Sequence, residues 1–194
     1  MIEFLLIGFL ILGSVDDRET IRFRYSWEQG FDASCGLQAL ACLLGLYWGE
    51  EASEAGLASA LPPGAVERRT SFADMEALLA ARGFACAAYA LDYGQLEGAA
   101  ARYAPLVAHY DKPLGHFVLV LTARDGMLVV ADPASGLQRL ERRDFEARWD
   151  GYVLLAARPG AAPRRGVLDA AVASALAPAR LLDFEARREL RVRP

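Results

Sequence analysis

Residues 116–133 read HFVLVLTARDGMLVVADP, two apolar runs on either side of Ala123-Arg124-Asp125-Gly126. The runs have strand length and the stretch between them supplies turn residues, so the segment is an antiparallel hairpin. A hairpin this apolar needs a sheet around it. Three further segments can provide one: FACAAYAL at 84–91, APLVAHY at 104–110 and GYVLLAAR at 151–158. Helical periodicity dominates the chain before them. Helices first and strands second predict an α+β fold, with N-terminal helices packed on a C-terminal antiparallel sheet, rather than a doubly wound one.

The helical part opens at Ser34. Leu37, Leu40, Ala41, Leu44 and Tyr47 recur at helical spacing up to Trp48, and Gly49 stands where a helix stops. A second helix is expected over 53–61, closed by Pro62 and Pro63. A third is expected over 71–83, with Thr70 or Ser71 as N-cap and Gly83 as C-cap. Upstream, Ile21, Phe23 and Tyr25 alternate with polar residues, the pattern of a short strand or extended arm.

Beyond the last strand, PGAAPRRG at 159–166 is a linker by composition, and the rest reads as Ala- and Arg-rich helices broken near Pro178, an appendage to the domain. At the other end, Phe4 to Leu12 form an apolar stretch followed by Gly13 and Ser14. Its length suits a signal peptide better than a membrane span, although Glu3 and no Lys or Arg precede it. The expected division is a signal peptide or membrane anchor over 1–14, one domain over 15–158, and a linker with a helical tail over 159–194. A chain of 194 residues, 54% hydrophobic and 24% charged, supports one packed core. A net charge of −4 gives no footprint for nucleic acid. No phosphate-binding loop is present, so no ATPase domain is expected.

The stretch EQGFDASCGLQALACLL, 28–44, holds two of the three cysteines. Cys35 and Cys42 lie seven apart in one helix, roughly 10 Å along its axis, too far for a disulfide. There is no Cys-x-x-Cys and no Cys/His cluster, which argues against a structural metal. Cys35 stands at the helix N-terminus after Asp32 and Ser34, where unpaired N–H groups and the helix dipole favour a thiolate; Cys42, inside the helix, lacks that help. Gly36 is expected to let a substrate backbone come close.

A lone cysteine is more often packing than nucleophile, so the reading needs a base. The chain has two histidines, His109 and His116. A turn at 123–126 brings His116 and Asp132 within one residue of register at the open end of the hairpin, whereas His109 falls well outside it. His116 therefore has a carboxylate to orient it. Asp132 before Pro133 is also a common way to begin a turn. Gln29 carries a side-chain amide that, with the Cys35 N–H, can serve an oxyanion.

These stretches resemble the C39 cysteine peptidases, the bacteriocin-processing or double-glycine leader peptidases. EQGFDASCGLQALACLLGLYWG is similar to their opening motif, a Gln followed six residues later by Cys-Gly and an Ala/Leu-rich helix. PLVAHYDKPLGHFVLVLTARDGMLVVADPASG is similar to the second, a Gly-His-Phe-Val strand followed by an Asp-Pro-x-x-Gly turn, and LERRDFEARWDGYVLL to the closing segment. The resemblance spans about residues 25 to 158. It departs at Ser34, where many members carry Asp. The chain also shows neither the membrane helices nor the nucleotide domain of the ABC transporters to which familiar members are fused, and it looks like the free-standing forms.

The resemblance implies a papain-like fold and a thiol endopeptidase. Cys35 would be the nucleophile, His116 the general base and acid, Asp132 the orienting group and Gln29 the oxyanion donor. No cofactor and no metal are expected. The substrate would be a leader or exported peptide or protein, cut after a Gly-Gly type site in support of a secretion system exporting bacteriocin-like peptides or functional amyloid. A secretion channel or transporter would be the partner, with exported, periplasmic or inner-membrane-anchored localisation. The alternatives are a non-catalytic C39-like module that binds a secreted substrate, and another papain-like amidase or acyltransferase.

Overall fold

A computed structural model of the protein describes residues 23–28, 30, 34–64 and 69–177. Helix α1 (Cys35–Cys42) runs on into a π-helical stretch (Leu43–Trp48); α2 (Glu54–Ser59) and α3 (Phe72–Ala80) follow. Then come β1 (Ala85–Ala90), α4 (Tyr93–Tyr103), β2 (Leu106–Tyr110), β3 (His116–Arg124), β4 (Met127–Asp132) and β5 (Gly136–Glu141). Helix α5 (Arg142–Glu146), β6 (Trp149–Ala157) and α6 (Arg165–Leu176) complete the described elements. The strands form a six-stranded antiparallel sheet in the order β1-β6-β2-β3-β4-β5. The α+β layout is as the sequence predicts.

Both faces of the sheet are covered. On one, Leu37, Leu40 and Leu44 of the first helix pack with Phe117, Leu119, Val129 and Leu154. On the other, Leu96 of α4 and Phe145 of α5 pack with Val118, Val120, Val130 and Val153. Helix α1 is buried all round from Gly36 to Cys42, as expected of a helix apolar on every side. Burying each of its leucines contributes about 1.5–3 kcal/mol, so this helix is held rigidly with its N-terminus at the sheet. Helix α3 begins in a reciprocal cap: the Ser71 N–H donates to Asp74 and the Asp74 N–H to the Ser71 hydroxyl.

Three elements carry no clear signal in the sequence. Strand β5 and helix α5 carry mixed composition, and α4 is rich in Ala and Gly, so none has a strong apolar period. A capping box at Asp92 and Gln95 was the available signal for α4. Phe23–Ser26 is a turn and not an arm: the Ser26 N–H donates to Phe23 O, and Tyr25 O accepts from the Tyr47 hydroxyl at 2.7 Å. Residues 15–22 of that expected arm, the segment 1–14 and the end of the tail, 178–194, lie outside the described residues. The part of the tail that is described joins the core. Leu168 and Ala171 of α6 are buried with the first helix, and the Arg164 N–H donates to Tyr47 O at 2.6 Å. No helix among the described residues is long and apolar enough to cross a membrane.

Candidate active site

Cys35 is the first residue of α1, and the helix brings it to the end of β3. Ser34 occupies the N-cap position without a capping bond from its side chain. The first-turn N–H of Gly36 instead serves the Cys35 sulfur, together with the N–H of Phe117 from β3. Gly36 has a different job from the one its small size suggests. It is buried, and a Cβ there would stand 2.7 Å from Met75 Cε and 3.1 Å from both Phe117 and Thr70. Its missing side chain lets the helix approach the sheet, and Gly36 also lines the cavity beside Cys35.

His116 opens β3 and Asp132 closes β4. The His116 Nε2 lies 2.8 Å from Asp132 Oδ1. Two local features create this contact. Asp125 (φ +53°) and Gly126 (φ +74°) form a two-residue turn between Arg124 and Met127, the left-handed geometry that suits strand twist. A bulge then leaves Leu121 unpaired, because Val120 faces Val130 while Thr122 faces Val129. Side chains alternate along a strand, so that one-residue offset decides the face. With the pairing found next to the turn, His116 and Asp132 would point to opposite faces; beyond the bulge they share one. Asp132 also opens the following turn, its Oδ1 accepting the Ala134 N–H at 2.7 Å. Its two roles, turn former and histidine partner, coexist. Its backbone carbonyl accepts from the buried Ser26 hydroxyl at 3.0 Å.

With Nε2 committed to Asp132, Nδ1 is the ring nitrogen left for Cys35, which is hydrogen-bonded to this histidine. Burial pushes the Cys35 thiol up. The His116 hydrogen bond, the Phe117 N–H, the imidazolium charge and the Gly36 N–H outweigh it, and the thiol titrates below its ordinary value. Burial disfavours the charged His116 ring, but Asp132 and Cys35 overcome this and raise its pKa to about 9. Asp132 is buried too, which would raise it; His116, Ser135 and the Ala134 N–H hold it below the usual carboxylate range. The three shifts run in the same sense, each favouring the charged form: thiolate at Cys35, imidazolium at His116 and carboxylate at Asp132.

The other two cysteines are also free, and neither is activated. Burial pushes Cys42 up to about 12, and burial with the nearby Glu76 raises Cys86. Gln29 lies outside the described residues. Among the described residues no group of three His, Cys, Asp or Glu side chains is placed to hold a metal ion.

His109 does have a carboxylate, contrary to the register argument. Its Nδ1 lies 2.5 Å from Asp150 Oδ2 on β6. That strand joins β2 from the other side, where a bulge beyond Ala108 shifts the register, so the β3–β4 hairpin could not reveal it. The His109 ring packs 4.8 Å from the ring of Phe117, whereas the hydrogen bond and charge at Cys35 come from His116.

Two cavities meet at the sulfur, and both include Cys35, Arg69 and Gly115 in their walls. The first, about 500 Å³, extends along the α3 side past Phe72, Phe117 and His109. The second, about 300 Å³, lies beyond His116 and Asp132. Between them Arg69 Nη1 donates to Gly115 O at 3.2 Å.

A thiol of lowered pKa beside a carboxylate-held histidine, at the head of a buried helix, suits nucleophilic attack on a carbonyl. Residues 24–160 match the model of the Peptidase C39 family, and the chain belongs to that family. It is 28% identical over 151 residues to the probable functional amyloid protease FapD of Pseudomonas aeruginosa, a match covering 75% of this chain and 66% of that protein. It is likewise 28% identical over 167 residues to the probable functional amyloid protease FapD of Pseudomonas fluorescens, covering 84% of this chain and 73% of that one. In fold it is similar to the peptidase domain of Streptococcus ComA, a bifunctional ABC transporter of a quorum-sensing pathway, with a TM-score of 0.59, 21% identity and coverage of 69% and 98%. It is also similar to a double-glycine-motif protease from an AMS/PCAT transporter, solved with its leader peptide, with a TM-score of 0.52, 16% identity and coverage of 68% and 89%.

Proposed function

We propose that this cysteine peptidase cuts a leader or exported peptide or protein, at a Gly-Gly type site, in support of a secretion system. The contact of Cys35 with a histidine that Asp132 orients carries the reading. Membership of the C39 family and the functional-amyloid role in the relatives' names support the substrate class. The Cys35 thiolate attacks the scissile carbonyl carbon, forming a C–S bond. As the intermediate collapses, the C–N bond breaks and the His116 imidazolium gives its proton to the leaving amine. The neutral ring, still held by Asp132, then takes a proton from water, whose oxygen attacks the thioester. The acyl product leaves and the thiolate returns. The oxyanion is held by the Cys35 N–H and by Gln29. A module that merely bound its cargo would need no lowered thiol pKa. The test is selective alkylation of Cys35 by iodoacetamide near neutral pH, together with cleavage of a Gly-Gly peptide. Both are expected to be lost in Cys35→Ala, and labelling to weaken in His116→Ala. Labelling equal to that of Cys42 and Cys86, with no cleavage, would refute the reading.

A further inference from the structure

The smaller cavity beside the sulfur is cationic in a protein of net charge −4. Arg69 comes from the segment before α3, Lys112 from the β2–β3 loop and Arg148 from the turn after α5. None of the three pairs with a carboxylate among the described residues. Arg69 donates to Gly115 O and Arg148 to Asp144 O, both backbone carbonyls, and Arg148 lies over the Tyr110 ring at 4.7 Å. The one carboxylate in the wall, Asp132, is already taken by His116 and the Ala134 N–H. Tyr110 lines the same cavity and is 2% exposed, and its hydroxyl has no hydrogen-bond partner among the described residues. A buried hydroxyl without a partner is uncommon and marks a place where a ligand or water completes the bonding.

We propose that this cavity is a specificity subsite for a carboxylate, namely an acidic side chain of the substrate close to the scissile bond. The proposal rests on the peptidase reading above, since the cavity shares Cys35 with it. Two arginines and a lysine line this cavity of about 300 Å³, a charge set that suits a carboxylate. The same excess of positive charge would draw an acidic segment toward the thiolate, which an otherwise acidic protein surface would repel. Arg69 adopts a left-handed backbone (φ +69°), an uncommon conformation for a non-glycine residue, at the point where the two cavities meet. Its guanidinium can leave Gly115 O for the incoming carboxylate as the substrate backbone takes that carbonyl.

Two measurements test the subsite. A peptide series around a Gly-Gly bond places Asp or Glu, or their amides, at each flanking position, with free and amidated C-termini. At one position the acidic peptide should exceed its amide in kcat/KM by about tenfold or more, and Lys112→Glu should erase that preference. An advantage that follows the free C-terminus would assign the carboxylate to the chain end and overturn the side-chain proposal. The second measurement needs no cleavage: the rate of Cys35 alkylation by iodoacetate divided by that by iodoacetamide. This ratio should fall severalfold in Lys112→Glu, a substitution on an exposed loop. Equal cleavage of acids and amides with an unchanged ratio removes the subsite and leaves the peptidase standing. A falling ratio with no peptide cut removes the peptidase reading and keeps the anion-binding cavity.

Discussion

The molecule contains two histidine–aspartate pairs on adjoining strands, and they are nearly matched. His116 with Asp132 and His109 with Asp150 have similarly exposed rings, 22% and 24%. Each aspartate also accepts the N–H two residues on, from Ala134 in one case and Tyr152 in the other. The pairs differ in which ring nitrogen the carboxylate takes. Asp132 binds Nε2 of His116 and leaves Nδ1 for Cys35; Asp150 binds Nδ1 of His109, whose Nε2 lies on the Gly115 side. They differ too in burial of the acid, 7% exposed against 21%. A histidine–aspartate pair is therefore not a catalytic signature. The third group within reach of the ring separates them: His116 faces the Cys35 sulfur at a helix N-terminus, and His109 lines the cavity along α3.

The two histidines are expected to contribute very unequally. His116→Ala is expected to lower kcat/KM for peptide cleavage by about 10³-fold or more, and His109→Ala by no more than about tenfold, mainly through KM. The partner acids sharpen the point. Asp132→Asn should reduce kcat by about 10–100-fold and move the alkaline limb of the cleavage profile below its wild-type position, whereas Asp150→Asn should leave that limb in place. A limb that moves in Asp150→Asn would mean that both pairs couple to the sulfur.

In the wild type the limb is expected to follow the His116 pKa of about 9, with cleavage falling above it as the imidazolium loses the proton proposed for the leaving amine. On the acid side cleavage is expected to fall as the thiolate protonates, at a pH below that of a free thiol. The same shift bears on stability. His116 titrates higher folded than unfolded, so its contribution is complete below the free imidazole value of about 6.5 and is lost as pH rises through about 9. The stability difference between wild type and His116→Ala, from denaturant titrations across that window, should shrink accordingly. The smallest expected effect is on packing. Gly36→Ala forces Met75, Thr70 and Phe117 aside and should cost about 1–3 kcal/mol in denaturant unfolding, with some loss of Cys35 reactivity as the helix backs off β3.

What the sequence carried was local. Helical spacing from Leu37 to Tyr47, the cap at Ser71 and the apolar runs around Asp125-Gly126 each act over a few residues, and all appear, with the helix turning π-helical from Leu43 and the expected turn 123–126 tightened to Asp125-Gly126. The association of His116 with Asp132 was legible because one short hairpin joins them. Three things were not legible, each for a reason of distance in the chain. The Leu121 bulge, which settles the face of His116, depends on how β3 packs against helices on both sides. Asp150 reaches His109 only because β6 returns to the middle of the sheet. Gly36 is fixed by Met75, Thr70 and Phe117, residues from two other elements and the segment before α3. Periodicity and turn chemistry are properties of neighbours along the chain. Which side chains converge on the sulfur depends on strand order and register, set when the hydrophobic faces of distant segments are buried together.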